Sequence, residues 1–143
     1  MIIINLSTSI LRPIEQVFDF VVNPENNVSW QYGSLASAQK SEQIGVGSIF
    51  YCVGHFMGRR FEGDFEVTEY EPNKKYGYRS VLTNMQLHTL YAFNAVHGGT
   101  LVITSTQANT HGLFKLADPI VAKYAKKLFN ENLVKLKSLL ETS

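Results

Sequence analysis

FEGDFEVTEY, residues 61–70, alternates between apolar and polar side chains along most of its length. One parity holds Phe61, Gly63, Phe65 and Val67, and the other holds Glu62, Asp64, Glu66 and Thr68. Successive side chains of a β-strand point to opposite faces of the sheet, so this period of two indicates a strand. The predicted sheet therefore has one face in water and one covered face.

Similar strand segments surround this one between residues 34 and 109. Turn signals separate them at intervals of about 10–15 residues, as in an antiparallel meander. These signals are Gly45/Gly47, Gly58, Pro72-Asn73, Thr83-Asn84 and Gly98-Gly99. Residues 2–10 also alternate from Ile4 onward. The sequence thus predicts an N-terminal strand and about six further strands.

Helical patterns occur on both sides of the meander. Pro13 suits a first helical turn, and the apolar residues that follow it to Val21 have helical spacing. Asn23-Pro24 ends this helix, and residues 24–30 allow a second short one. A long helix is predicted from Asp118, a suitable N-cap, with a length of about 35 Å. Its apolar stripe is Val121, Ala125, Leu128, Phe129, Leu136 and Leu140.

This order of elements predicts a single α+β domain over residues 1–143, with helices gathered on one face of an antiparallel sheet. A straight helix does not pack flush against a strongly bent sheet along its whole length. We therefore expect a concave and mostly apolar pocket between the two.

The chain resembles the START-like (SRPBCC) superfamily, which includes the polyketide cyclase/dehydrase and lipid-transport family and the birch-pollen allergen type. The resemblance rests on residues 10–21, Asn23-Pro24-Glu25, Trp30, Val46-Gly47-Ser48, Gly58-Arg59-Arg60, residues 66–72, Gly98-Gly99-Thr100 and residues 136–141. It implies a helix-grip fold, in which a seven-stranded antiparallel sheet wraps around the C-terminal helix. It also implies a cavity for an apolar or amphipathic small molecule.

Composition excludes several other classes of protein. The chain has 13 Lys and Arg against 12 Asp and Glu, which argues against a nucleic-acid partner. Cys52 is the single cysteine, so neither a disulfide scaffold nor a cysteine-rich zinc site is expected. No apolar run approaches the roughly 20 residues that span a bilayer, and the N-terminus lacks the pattern of a signal peptide. We expect a cytoplasmic protein that does not insert stably into membranes.

Aromatic residues make up 12% of the chain and provide the candidate ligand-binding residues. A tyrosine in a cavity wall can contact an apolar ligand with its ring and orient one polar group with its hydroxyl. The predicted ligand-binding residues are Trp30, Phe50, Phe65, Tyr78, Tyr91, Phe93, Phe114 and Tyr124.

Catalytic candidates are few. Tyr78, His88, Tyr91 and Glu69 could polarise a carbonyl or move a proton if they point into the cavity. Glu69 shares the parity of Phe65 and is expected to point inward, whereas His88 could point either way. Ligand spacing for a metal, a dinucleotide fingerprint and a nucleophile elbow are all missing, so neither metal nor cofactor is expected.

Three functions remain open. The first is binding or transport of a hydrophobic or amphipathic small molecule, such as a lipid or a polyketide-like compound. The second is a cyclase, dehydratase or hydrolase activity in the same cavity, and the third is a protein-interaction module. Apolar residues on both faces near Leu90, Ala92 and Val96 favour a covered outer face, as in a homodimer.

Overall fold

A computed structural model describes residues 2–81, 85–110 and 118–143. The strands are β1 (Ile2–Ile10), β2 (Ser34–Gln39), β3 (Ile49–Phe56), β4 (Arg59–Glu71), β5 (Lys75–Ser80), β6 (Met85–Val96) and β7 (Gly99–Thr110). The helices are α1 (Ile14–Val22), α2 (Asn27–Trp30) and α3 (Asp118–Glu141), and a short 3₁₀ turn (Pro24–Asn26) joins the first two.

The seven strands form one antiparallel sheet in the order β1-β7-β6-β5-β4-β3-β2. Sequential neighbours pair throughout the meander, and β1 closes the order by pairing with β7 along its whole length, from Ile2 opposite Ala108 to Ile10 opposite Thr100. The predicted α+β helix-grip architecture, with one or two short helices between the first two strands, is confirmed, and the structure has two.

Helix α1 and the short segment after it follow from the residues at their ends. Pro13 accepts the first helical hydrogen bond from the Val17 N–H, at 3.1 Å. The Asn23 side chain accepts a hydrogen bond from the Glu25 N–H, at 3.1 Å, and so caps the 3₁₀ turn. The buried face of α1 carries Phe18, which is 1% exposed.

Helix α3 runs for 24 residues and lies against β1 and α2. Its C-terminal end is fixed to the loop after β1, because the Leu11 N–H donates to Glu141 Oε2 at 2.8 Å. Lys137 Nζ donates to the same carboxylate at 2.8 Å. The predicted apolar stripe is the inner face: Val121, Ala125, Leu136 and Leu140 are buried, and Leu128 and Phe129 are partly so.

Within the described residues, no helix combines the length and the apolar character that crossing a bilayer requires. The predicted turn at Thr83-Asn84 and the candidate residue Phe114 lie outside the described residues.

Candidate functional site

A cavity of about 170 Å³ lies between the inner face of the sheet and helix α3. Residues from all seven strands, from α2 and from α3 line it. Tyr32 and His55 belong to the lining and are exposed, so the cavity reaches solvent beside them. The predicted pocket between sheet and helix is therefore present.

Aromatic rings form one wall of the cavity. Phe50 on β3 stacks on Phe65 on β4, with ring centroids 5.4 Å apart. Tyr78 on β5 meets Phe50 edge-on at 5.3 Å and Phe65 at 5.8 Å. The wall results from register, because Phe50 lies directly opposite Phe65 and Tyr78 opposite Val67 on the same face. Offset and edge-on rings at these distances attract one another and hold the wall in shape.

The cavity stops at a second group of rings, Phe18, Tyr70 and Phe93, which we call the closed end. Phe18 contacts Tyr70 at 5.5 Å and Phe93 at 5.1 Å, both edge-on. Phe93 stacks on Tyr91, which does line the cavity, at 6.3 Å. Phe93 therefore packs beside Tyr91 at the closed end and is not part of the lining.

Tyr78 and Tyr91 carry hydroxyl groups into this apolar region. Burial raises the pKa of Tyr91 well above its usual value, and the neighbouring Tyr78 raises it further. Burial also raises the pKa of Tyr78, although interactions with Tyr91, Thr89 and Gln31 oppose this. Both phenols stay protonated at neutral pH, so they act as hydrogen-bonding groups and are not poised as general bases.

Threonines from β6 and β7 form a polar part of the lining. Thr89 Oγ1 lies 3.3 Å from Thr106 Oγ1, and both side chains are buried. Thr104 Oγ1 donates to the Leu6 carbonyl at 3.5 Å. These hydroxyls have protein partners, as buried polar groups usually do.

A second polar part lies beside α2. The Asn27 side chain donates to Ser37 Oγ at 3.4 Å, and Cys52 Sγ lies 3.3 Å from the same oxygen. Burial raises the pKa of the Cys52 thiol, which favours the unreactive protonated form. Asn132 on α3 accepts a hydrogen bond from the Tyr32 N–H at 2.8 Å, and this bond ties α3 to the segment after α2.

Trp30 differs from these polar groups. Its indole lines the cavity and is 3% exposed. Its Nε1–H is the buried side-chain donor for which no acceptor exists among the described residues. A buried donor without a partner loses its hydration without compensation.

Two of the four catalytic candidates lie outside the cavity. The predicted inward orientation of Glu69 is wrong: the residue is exposed, because a bulge between Val67 and Glu69 shifts the register of β4 and reverses its parity. His88 points to the outer face, where its Nε2 lies 3.0 Å from Thr68 Oγ1. Tyr78 and Tyr91 are thus the candidates that the fold brings together.

Among the predicted ligand-binding residues, the structure places Trp30, Phe50, Phe65, Tyr78 and Tyr91 in the lining. Tyr124 is 44% exposed and packs edge-on against Phe56 at 5.5 Å, at the rim of the domain, and is not part of the lining. Phe93 lies at the closed end.

The sequence did not reveal that polar side chains line the cavity: Asn27, Gln31, Thr89, Thr104, Thr106 and Asn132. One signal was available for β7, where threonine occupies positions 100, 104 and 106, which all lie on one face of the strand. Asn132 gave no signal, because asparagines in a lysine-rich helix are typical of a solvated face.

Charge is scarce around the cavity. Among the described residues, the lining contains no Lys, Arg, Asp or Glu. In the same part of the chain, no cluster of His, Cys, Asp and Glu could hold a metal ion. The site can therefore contact apolar surface and offer a few hydrogen bonds.

The fold has close structural counterparts at low sequence identity. TTHA0849 from Thermus thermophilus has a TM-score of 0.84 at 16% identity, with 99% of each chain covered. A START superfamily protein from Mycobacterium smegmatis has a TM-score of 0.82 at 12% identity, again with 99% of each chain covered. Protein NE0264 from Nitrosomonas europaea has a TM-score of 0.77 at 16% identity, covering 99% of this chain and 95% of its own.

A search of the curated proteins found no match. The family profile described as "Polyketide cyclase / dehydrase and lipid transport" matches residues 1–141, which is nearly the whole chain. The description of this family indicates a domain that binds hydrophobic ligands. The chain belongs to the polyketide cyclase/dehydrase and lipid transport family.

Proposed function

We propose that the protein binds a small hydrophobic or amphipathic molecule in the cavity between the sheet and α3, and acts as a carrier without catalysing a reaction. The observation that carries this proposal is the lining itself, in which aromatic and aliphatic side chains dominate and Lys, Arg, Asp and Glu are missing from the described residues. An apolar lining favours apolar ligands because both surfaces leave water on binding.

The volume of the cavity restricts the size of the ligand. A buried apolar cavity of about 150 Å³ is large enough for benzene. The cavity here measures about 170 Å³, so it suits a single ring or a short chain. A lipid with two acyl chains would need the sheet and α3 to move apart.

Titration with toluene tests the proposal. Trp30 is the only tryptophan and lines the cavity, so its fluorescence reports occupancy directly. We expect saturable binding by the wild type and no binding by Ala125→Leu, because Ala125 is buried in the lining and a longer side chain there fills the space. Lys126→Leu is the control, since it places the same leucine on the exposed side of the same helix.

Circular dichroism and thermal unfolding of both variants establish that they are folded. Absence of saturable toluene binding to the wild type would contradict the proposal. Binding that is unchanged in Ala125→Leu would also contradict it, because the ligand would then occupy another place.

A second candidate function rests on Tyr78 and Tyr91. Two protonated phenols in an apolar cavity could polarise a ligand carbonyl and so promote a cyclisation or dehydration. Turnover of a carbonyl substrate that falls in both Tyr78→Phe and Tyr91→Phe, without a matching loss of binding, would favour this enzyme over the carrier.

The cytoplasmic location and the homodimer remain predictions. Of the outer-face residues that suggested a partner, Leu90 and Ala92 are half-buried within the monomer, whereas Val96 is 42% exposed. Sedimentation of the wild type and of Val96→Lys would test for a dimer on this face, because the charge would disrupt it.

A further inference from the structure

We infer that the ligand is uncharged and carries an oxygen that accepts a hydrogen bond from Trp30 Nε1. This inference rests on the proposed function and deepens it by specifying the chemistry of the ligand. It starts from the single unpartnered donor in the buried lining of the described residues.

The other buried polar groups of the lining have partners within the protein. Asn27 is hydrogen-bonded to Ser37, and the Asn132 side chain to the Tyr32 N–H. Thr89 and Thr106 contact each other. The Trp30 N–H lacks an acceptor among the described residues although the indole is almost fully buried. Trp30 borders the cavity, but its Nε1 has almost no accessible surface, so a molecule in the cavity supplies that acceptor only when the side chains around the indole shift on binding.

The electrostatics of the lining decide which acceptor fits. A carboxylate or phosphate would need a cation, because burying an unpaired charge is costly. In the part of the chain that the structure describes, neither lysine nor arginine lines the cavity. His55 lies at the exposed opening to solvent. A neutral carbonyl, ether or hydroxyl oxygen meets the requirement of the indole without that cost.

The size of the cavity further restricts the class of ligand. The cavity volume of about 170 Å³ limits the ligand to about one ring with a short substituent. The Phe50–Phe65–Tyr78 wall offers ring faces and edges to such a compound. The inferred class is therefore a small neutral compound with one ring and one acceptor oxygen, for which acetophenone is a simple probe.

The test compares acetophenone with α-methylstyrene, in which a methylene group replaces the carbonyl oxygen at almost the same size and shape. Trp30 is the only tryptophan, so a ¹⁵N–¹H spectrum contains one indole N–H signal. We expect acetophenone to shift this proton downfield more than α-methylstyrene does, because only acetophenone accepts a hydrogen bond.

Affinities of both probes for the wild type and for Trp30→Phe complete a double-mutant cycle. Phenylalanine keeps an aromatic side chain and removes the N–H. We expect the substitution to lower the affinity for acetophenone relative to α-methylstyrene by about 2- to 12-fold, which corresponds to one net hydrogen bond. The ratio cancels the greater hydrophobicity of α-methylstyrene and any change in packing that affects both probes.

The outcomes separate this inference from the proposed function. If both probes bind but the indole shifts are equal and the affinity ratio is unchanged, the inference is wrong and the proposed function stands. If neither these probes nor toluene bind the wild type, the proposed function fails as well. Benzoate binding as tightly as acetophenone would overturn the requirement for an uncharged ligand. If Trp30→Phe does not fold, the comparison of indole shifts in the wild type decides alone.

Discussion

The two halves of helix α3 face the same sheet, but one half packs tightly against it and the other borders a cavity. Toward the C-terminus, Leu136 and Leu140 are buried in the core that also contains Phe18 and Phe93. Toward the N-terminus, Ala125 and Phe129 border the cavity. A third element makes the difference, because α1 places Phe18 at the closed end. The opposite end has small side chains, including Ala108 and Ala125, and keeps its space.

The strongest test of this comparison removes one ring from the closed end and one from beside the cavity. Phe18→Ala deletes a side chain that is 1% exposed, and we expect it to lower the free energy of unfolding by about 3–5 kcal/mol. Phe129→Ala deletes the same group from a half-buried position beside the cavity, with an expected loss of about 1–2 kcal/mol.

Urea unfolding, followed by circular dichroism, measures both losses. Equal losses would mean that the two halves are packed alike and that the distinction between the closed end and the cavity has no energetic basis. An unchanged slope of unfolding free energy against urea would show that both variants unfold from comparable native states.

How far the sequence predicted the site depends on whether local periodicity was sufficient. In β4 the alternation correctly placed Phe65 and Val67 on the inner face. It failed at Glu69, because the bulge depends on pairing with β5 and the sequence of β4 carries no sign of it. The division of the inner face into a closed end and a cavity was equally inaccessible, since it depends on where α1 places Phe18.

Strand β7 shows a different limit. Its large aliphatic residues include Ile103, which lies on the outer face and is 40% exposed, whereas Thr104 and Thr106 are buried on the inner face. The inner parity also contains Val102, which is fully buried, so both parities carry a large aliphatic residue and hydrophobicity alone does not assign the faces. Thr104 lies opposite Leu6 and Thr106 opposite Ile4, so pairing with β1 places these hydroxyls in the lining.

The contact between Thr89 and Thr106 in the cavity lining provides a prediction of intermediate size. Thr89→Val leaves the Thr106 hydroxyl without its partner in a buried position, and we expect a loss of about 1 kcal/mol in unfolding free energy. The double variant Thr89→Val/Thr106→Val removes both hydroxyls at nearly constant volume, so its loss should be smaller than the sum of the two single losses. Urea unfolding of the two single variants and the double variant measures this non-additivity. Simple addition of the two single losses would show that the hydroxyls do not depend on each other.

The smallest expected effect concerns the C-terminal half of α3 and depends on pH. Hydrogen bonds from Lys137 and from the Leu11 N–H lower the pKa of Glu141, the residue that fixes the end of α3 to the loop after β1. A carboxyl whose pKa is lower in the folded state stabilises the fold above its unfolded pKa, and this contribution disappears as the pH falls through the folded value. We therefore expect Glu141→Gln to lower the melting temperature at neutral pH, with the difference from the wild type shrinking progressively as the solution is acidified below the usual carboxyl range.

Glu131→Gln, an exposed change on the same helix, is the control and should leave the pH profile of the wild type unchanged. A deficit in Glu141→Gln that stays constant down to strongly acidic pH would mean that the charge of Glu141 does not hold this end of the helix in place.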